Sequence, residues 1–133
     1  MQTNLTMSYK AKKIVAIGGG EIGRAGYPVE TTTIDREIIR LTGLGFIPAT
    51  HSPHYDVEKD RRAGLKKVMR KTPGIALAID NCAAIEFVND TYRLITSKPR
   101  AKAYKTYWKK GHYHEEKLPK QKTFKPLADL LAK

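Results

Sequence analysis

Apolar residues are distributed along the chain in two continuous runs and two amphipathic stretches. The runs within residues 13–17 and 75–79 have no alternating polar positions, which is typical of buried strands, and the first predicts a strand of a parallel sheet. Apolar residues recur at helical spacing over residues 33–42 and again over residues 57–69, with Asp56 as a candidate cap for the second helix. The pattern predicts a β-loop-α unit followed by a β-loop-α-β unit.

The second half of the chain alternates between apolar and polar positions instead. Residues 84–88 and 91–95 flank Asn89-Asp90, which predicts a β-hairpin with a two-residue turn. A further strand is expected over residues 101–108, and a short helix after Pro126. The predicted fold class is therefore α/β, a mostly parallel sheet flanked by helices with an antiparallel hairpin extension.

Length and composition predict one domain with one core. The chain has 133 residues, of which 41% are hydrophobic. Residues 1–11 are polar and predict a flexible tail before a single domain over residues 12–133. The single cysteine fits a reducing compartment, and the N-terminal residues lack the apolar core of a signal peptide. No apolar run approaches the roughly 18 residues of a membrane span. The expected location is the cytoplasm, with no membrane partner.

Positive charge is concentrated towards the C-terminus. The formal net charge is +12, and residues 98–133 hold eleven Lys or Arg against three acidic residues. Such a segment raises the alternative of a nucleic acid or an acidic partner. Lysine outnumbers arginine there and no nucleic-acid-binding motif accompanies it, so a solvated lysine-rich surface is the favoured interpretation.

A glycine motif follows the first apolar run. Gly18, Gly20 and Gly23 match G-x-G-x-x-G, whose backbone N–H groups can approach a pyrophosphate at a helix start. A loop-like sequence over residues 24–28 follows in place of a helix. A tight glycine turn at a strand end is therefore the favoured interpretation, and no cofactor is predicted.

His54 and Asp80 are the candidate catalytic residues. His54 lies in a Pro53-His54-Tyr55-Asp56 turn after a short strand, where a histidine can take a proton from a Ser or Cys nucleophile. Asp80 ends an apolar strand, where an acid either orients a histidine or forms a turn with the next residue. The alternative for His54 is a histidine that caps a turn.

No residue has the sequence context of a nucleophile. A nucleophilic serine of an α/β enzyme usually lies in G-x-S-x-G, yet none of Ser8, Ser52 and Ser97 is flanked by glycines. Ser52 lies two residues from His54 but has no sign of such an elbow. Cys82 could be a nucleophile activated by His54, although a small buried cysteine is the commoner case.

A metal site is suggested only weakly. His112 and His114 alternate on a presumed surface strand, which would place both imidazoles on one face. Zinc sites need at least a third protein ligand, and none suggests itself. No metal is predicted.

Several segments together resemble the peptidase E family, serine peptidases with a class I glutamine amidotransferase-like α/β fold. The N-terminal part of that family is similar to residues 13–21, KIVAIGGGE, and 34–43, IDREIIRLTG, together with Glu30-Thr31. Its C-terminal part is similar to Pro53-His54-Tyr55-Asp56 and to residues 75–85 and 103–108. The resemblance covers nearly all of residues 12–133.

The resemblance implies a function and assigns roles. The family cleaves short peptides with N-terminal aspartate through a Ser, His and carboxylate triad. By resemblance His54 is the base, Asp80 is the carboxylate that holds it, and a short peptide is the partner if the chain is active.

This chain departs from the family in its middle. The central strands, the glycine-rich oxyanion loop and the G-x-S-A-G elbow are missing, with a junction between Gly43 and Ser52. Residues 12–43 would be the family's N-terminal part and about 44–133 its C-terminal part, which gives a truncated architecture. We expect impaired or absent activity, because losing a triad member costs several orders of magnitude in rate. The alternative is an inactive remnant or binding scaffold, and exposed sheet edges would favour a homo-oligomer.

Overall fold

Two four-stranded sheets and two helices make up residues 14–18, 47–57 and 60–133, which a computed structural model describes. The strands are β1 (Ile14–Gly18), β2 (Thr50–Ser52), β3 (Ala76–Ile79), β4 (Ala83–Val88), β5 (Thr91–Thr96), β6 (Ala103–Lys109), β7 (His112–Lys117) and β8 (Lys125–Pro126). The helices are α1 (Arg61–Met69) and α2 (Leu127–Leu131). The mixed α/β class is confirmed.

The two sheets have different strand directions. One sheet has the order β2-β3-β6-β7, in which β2 and β3 are parallel and the other neighbours are antiparallel. The other has the order β1-β4-β5-β8 and is antiparallel throughout. The single β-α-β unit of the described chain is β2-α1-β3. Because α1 returns the chain to the starting end of the sheet, β2 and β3 pair in parallel.

The prediction of a mostly parallel sheet is wrong for the described part of the chain. β1 pairs with β4 antiparallel, with Ile17 opposite Ile85. An unbroken apolar run reports burial and not strand direction, which depends on how the strands are connected. The β4–β5 and β6–β7 pairs are joined by two-residue turns, and such short turns permit only antiparallel pairing.

β3 is buried on both faces and separates two apolar clusters. Leu77 and Ile79 belong to the larger cluster, whereas Ala76 and Ala78 belong to a cluster under α1, as expected from the two-residue period of a strand. The larger cluster draws on both sheets and on α2; its other buried members are Ile75, Ala83, Ile85, Phe87, Tyr92, Leu94, Ala101, Ala103, Tyr107, Leu118 and Leu130. The molecule is therefore layered, with α1 outside one sheet and the main core between the sheets.

α1 begins later than its sequence pattern suggests. The predicted amphipathic stretch starts at residue 57, but the helix starts at Arg61 after Asp60, whose carbonyl accepts the Gly64 N–H. Leu65 and Met69 are its buried residues, four positions apart on one face. Asp56 does not cap this helix; its carboxylate bonds elsewhere, because the chain turns at that point towards the end of β3.

Tight turns close both hairpins. The predicted hairpin is confirmed as β4 and β5, and its turn residue Asn89 has a φ of 52°. In the β6–β7 turn both Lys110, with a φ of 50°, and Gly111, with a φ of 78°, are left-handed, which is the requirement of a type I′ turn. The predicted final helix after Pro126 is confirmed as α2.

Several predictions fall outside the described residues. They are the tail over residues 1–11, the glycine motif beyond Gly18 and the helix over residues 33–42. The domain boundaries, the cytoplasmic location and self-association through sheet edges stay predictions. Across the described ranges, none of the helices has the length and apolar character needed to cross a membrane.

Candidate functional site

His54 lies just beyond the end of β2, with a backbone conformation that its surroundings must stabilise. It is 7% exposed and has a left-handed φ of 55°. For a residue with a side chain this conformation costs roughly 1–2 kcal/mol, so neighbouring contacts must hold it. One such contact is the Tyr55 N–H, which donates to the Ile79 carbonyl at 3.2 Å. The turn is thereby attached to the end of β3.

Asn81 is the hydrogen-bond partner of the His54 ring. The Nδ1 atom of His54 lies 2.7 Å from Asn81 Oδ1. An amide oxygen only accepts, so Nδ1 is the donor of this bond, and in the neutral imidazole Nε2 is then the nitrogen with the free lone pair. The backbone N–H of Asn81 donates to Asp56 Oδ1 at 2.9 Å, which ties the two turns together in both directions.

Asp80 lies one residue before this partner and is 4% exposed. Its Oδ2 accepts the Lys102 N–H at 3.0 Å, and its own N–H donates to the Lys102 carbonyl at 2.9 Å. Its Oδ1 is buried, with no hydrogen-bond partner within the described ranges. Burial raises the pKa of Asp80, and the nearby Asp56 carboxylate adds to the rise, against the opposing Lys102 N–H bond. A carboxyl with a raised pKa in such a place is a frequent property of functional sites.

The structure thus places both predicted site residues just after the ends of the parallel strands β2 and β3. It does not show the predicted contact between them, because each side chain has a different partner. The ring of His54 bonds to Asn81, and the carboxylate of Asp80 bonds to the backbone of Lys102. The sequence pattern indicates only a turn at Asn81. The sequence holds only a weak signal for Asn81 as the partner of His54, because Asp80-Asn81 after a buried strand is equally typical of a turn.

A cavity of about 180 Å³ opens beside Asn81. Its charged lining combines one carboxylate with two cations, and apolar side chains line the rest. The lining residues are Asp56, Val57, Asn81, Cys82, Lys98, Arg100 and Ala101. The excess of positive charge suits a small anionic group.

Neither candidate nucleophile lies in an elbow. Ser52 is in β2 opposite Ala78, is 4% exposed, and its hydroxyl has no hydrogen-bond partner in the described part of the chain. Cys82 is half-buried in the cavity wall with a φ of 67°, and it leads into β4 rather than into a helix. Both are thus outside the strand-to-helix geometry that exposes a nucleophilic serine.

Metal ligands are also dispersed. No group of three or more His, Cys, Asp or Glu residues able to hold a metal ion occurs in the ranges described. His112 and His114 both lie on β7, and the ring of His114 stacks on Tyr107 with centroids 4.9 Å apart. That stacking gives His114 a packing role.

A polar cluster behind His54 was not expected from the sequence. Tyr55 is 2% exposed, and its hydroxyl donates to Glu115 Oε1 at 2.5 Å. Arg62 donates to the same oxygen at 2.6 Å, and its Cζ lies 4.5 Å from the centre of the Tyr55 ring. The three residues come from the His54 turn, α1 and β7, so no short sequence motif could have revealed them.

Comparison with known proteins gives one partial likeness. No protein-family model matches the sequence, and no solved structure matches it. Over 81 residues the chain is 36% identical to an uncharacterized peptidase, YgaJ, of Bacillus subtilis (strain 168). The aligned part is 59% of this chain and 35% of that protein, so the chain spans about a third of the length of this curated relative. The likeness supports a relationship to peptidases.

Proposed function

We propose that the chain carries the histidine side of a peptidase-type hydrolase site, of the peptidase E kind with its amidotransferase-like architecture. The observation that carries the proposal is the buried His54 ring, fixed at Nδ1 by Asn81 and left with Nε2 as a proton acceptor. The likeness to a named peptidase points the same way.

His54 is the general base in this proposal, and Asp80 supports it from one residue beyond its partner. A base at Nε2 becomes an imidazolium during acyl transfer, and nearby negative charge stabilises that cation. Asp80 also fixes the turn that presents Asn81, through its two bonds to the Lys102 backbone. Asp80 therefore acts on His54 through position and charge.

A short peptide with N-terminal aspartate is the proposed substrate. Lys98 and Arg100 line the cavity beside Asn81, where they would attract the side-chain carboxylate. The cavity has a volume of about 180 Å³, which suits a single small residue. Arg100 offers a planar pair of donors that matches a carboxylate, which makes it the stronger candidate of the two.

Turnover by the chain alone is proposed to be weak or absent. None of its three serines is flanked by glycines, and the Ser52 hydroxyl is buried within β2. A scaffold that binds acidic peptides without cleaving them is the second candidate function. The cationic cavity favours this candidate, because it needs no nucleophile.

Hydrolysis of a chromogenic aspartyl amide tests the first candidate. Any turnover of the purified chain is expected to fall at least about 100-fold in His54→Asn, because a positioned general base contributes roughly 10²–10⁴-fold. Asparagine tolerates the left-handed backbone at this position better than alanine does. His112→Asn, at an exposed position on β7, is the control and should keep the rate. An unchanged rate in His54→Asn would refute the role of the base.

Binding of an aspartyl dipeptide tests the second candidate. In calorimetry, the wild-type chain should bind the corresponding asparaginyl dipeptide more weakly than the aspartyl dipeptide. The Arg100→Gln variant should bind the aspartyl dipeptide about tenfold more weakly than wild type does, because one charge-assisted bond is lost. Lys67→Gln removes the same charge from α1 and is expected to leave binding unchanged. Absence of both turnover and binding in the folded protein would contradict both candidates.

A further inference from the structure

Tyr55 joins the His54 turn to the opposite edge of the sheet. Its backbone directly follows His54 and is bonded to Ile79 at the end of β3. Its ring passes through the apolar cluster under α1, and its hydroxyl reaches Glu115 on the edge strand β7. One side chain therefore links the turn of the candidate base to the edge strand β7.

The far end of this connection is a charged anchor. Glu115 Oε1 receives both the Tyr55 hydroxyl and the Arg62 guanidinium, at 2.5 and 2.6 Å. Arg62 also lies over two aromatic rings, with its Cζ 4.5 Å from the centre of Tyr55 and 5.1 Å from that of Tyr104. Hydrogen bonds to a charged acceptor are the stronger class, and a cation over the ring opposes sideways movement.

We propose that Tyr55, Arg62 and Glu115 form a clamp that positions His54 for proton transfer. The inference rests on the proposed role of His54 as the base. None of the three touches the candidate reacting atoms, so all three are positioning residues.

The physical need for a clamp follows from the backbone of His54. A φ of 55° is unfavourable for histidine, so the turn would relax if its contacts were released. Packing alone would be satisfied by phenylalanine, since the Tyr55 ring is 2% exposed among apolar neighbours. The hydroxyl adds a directional tie, which fixes where the ring lies and hence where the preceding residue lies.

Tyr55→Phe tests the clamp, with the His54 ring as the reporter. In nitrogen-proton NMR spectra of the full chain, the Nδ1–H signal of His54 should broaden or shift. Hydrogen exchange at the Tyr55 amide should rise about fivefold beyond any change in global unfolding, as expected for loss of one hydrogen bond. Tyr92→Phe removes a hydroxyl from the other core cluster, on β5 of the other sheet, and should leave both signals unchanged.

Glu115→Gln is the second variant, because its side chain is partly exposed and the substitution spares the core. Glutamine retains an acceptor for Tyr55 but loses the charge, so its effect should fall between wild type and Glu115→Ala. Wild-type His54 and Tyr55 signals in all three variants would overturn the clamp. These measurements need no turnover. The clamp can therefore be refuted while the hydrolase proposal stands, and the hydrolase proposal can be refuted by the activity assay while the clamp is supported.

Discussion

At the scale of single residues, the most informative contact is the one between His54 and Asn81, because a side-chain amide takes the place that the resemblance gives to the carboxylate of Asp80. Asn81 fixes the tautomer and direction of the His54 ring at 2.7 Å without placing a charge on it. The negative charge lies close by, on Asp80 and Asp56. Orientation and charge, which one carboxylate often supplies together, are here divided between neighbouring residues.

Asp80→Asn is expected to flatten the dependence of stability on pH. The pKa of Asp80 is raised above its ordinary value of 3.8, so the folded state holds the proton more tightly than the unfolded state. Its stabilising contribution is therefore full below pH 3.8 and is lost as pH rises through the raised pKa. Asparagine never ionises and keeps an acceptor for the Lys102 N–H.

Urea unfolding between pH 3 and about 7 measures this difference. Relative to wild type, Asp80→Asn should gain stability between pH 3.8 and the raised pKa of the folded state, and the difference should stay constant on either side of that window. Asp90→Asn, at an exposed turn position, is the control and should run parallel to wild type. A wild-type profile in Asp80→Asn would show that the carboxyl is not perturbed by its surroundings.

The sequence identified His54 and Asp80 as candidates but not the partner of either. A loop histidine and a strand-end acid are recognisable by position alone. The His54–Asn81 bond, however, joins residues 27 positions apart and depends on where two turns meet. No local pattern contains that information.

At the scale of elements, turn chemistry was predictable and strand direction was not. Asn89-Asp90 between two alternating stretches identified the β4–β5 hairpin, because few residues accept a left-handed turn position. The apolar run of β1 predicts a parallel sheet, because parallel strands are usually buried on both faces. Its partner is the antiparallel β4, and a strand's partner is a long-range property.

Lys110→Asn is expected to stabilise the protein by about 0.5 kcal/mol, because asparagine adopts left-handed backbone more readily than lysine and Asn-Gly favours a type I′ turn. Lys110 has a φ of 50° and precedes Gly111 in the β6–β7 turn. Lys110→Gln removes the same charge without the turn preference and should give no gain. Equal stability of the two variants in urea unfolding would disprove the explanation.

At the scale of the whole molecule, one core serves both sheets. The cluster contains residues of β3 and β6 from one sheet and of β4 and β5 from the other, closed at one side by α2. Losing an element at its border therefore weakens every layer. Predicting this arrangement from sequence would have required knowing which strand faces meet.

Leu130→Ala tests how strongly α2 holds the core. Leu130 is 1% exposed in the shared cluster, so its truncation should lower the free energy of unfolding by about 2–4 kcal/mol. Leu131→Ala, at the half-buried neighbouring position, should cost clearly less. Equal losses in thermal and urea unfolding would mean that α2 does not close the core as described.

The contact between Tyr55 and Glu115 also has a consequence for the order of events during synthesis. The two residues are 60 positions apart, so β7 is translated well after the His54 turn. A nascent chain that has only reached β6 already contains His54 and Asn81 but lacks Glu115, the acceptor of the Tyr55 hydroxyl. A ribosome-bound intermediate should therefore carry a loose His54 turn, which becomes fixed only after β7 has been synthesised and has paired.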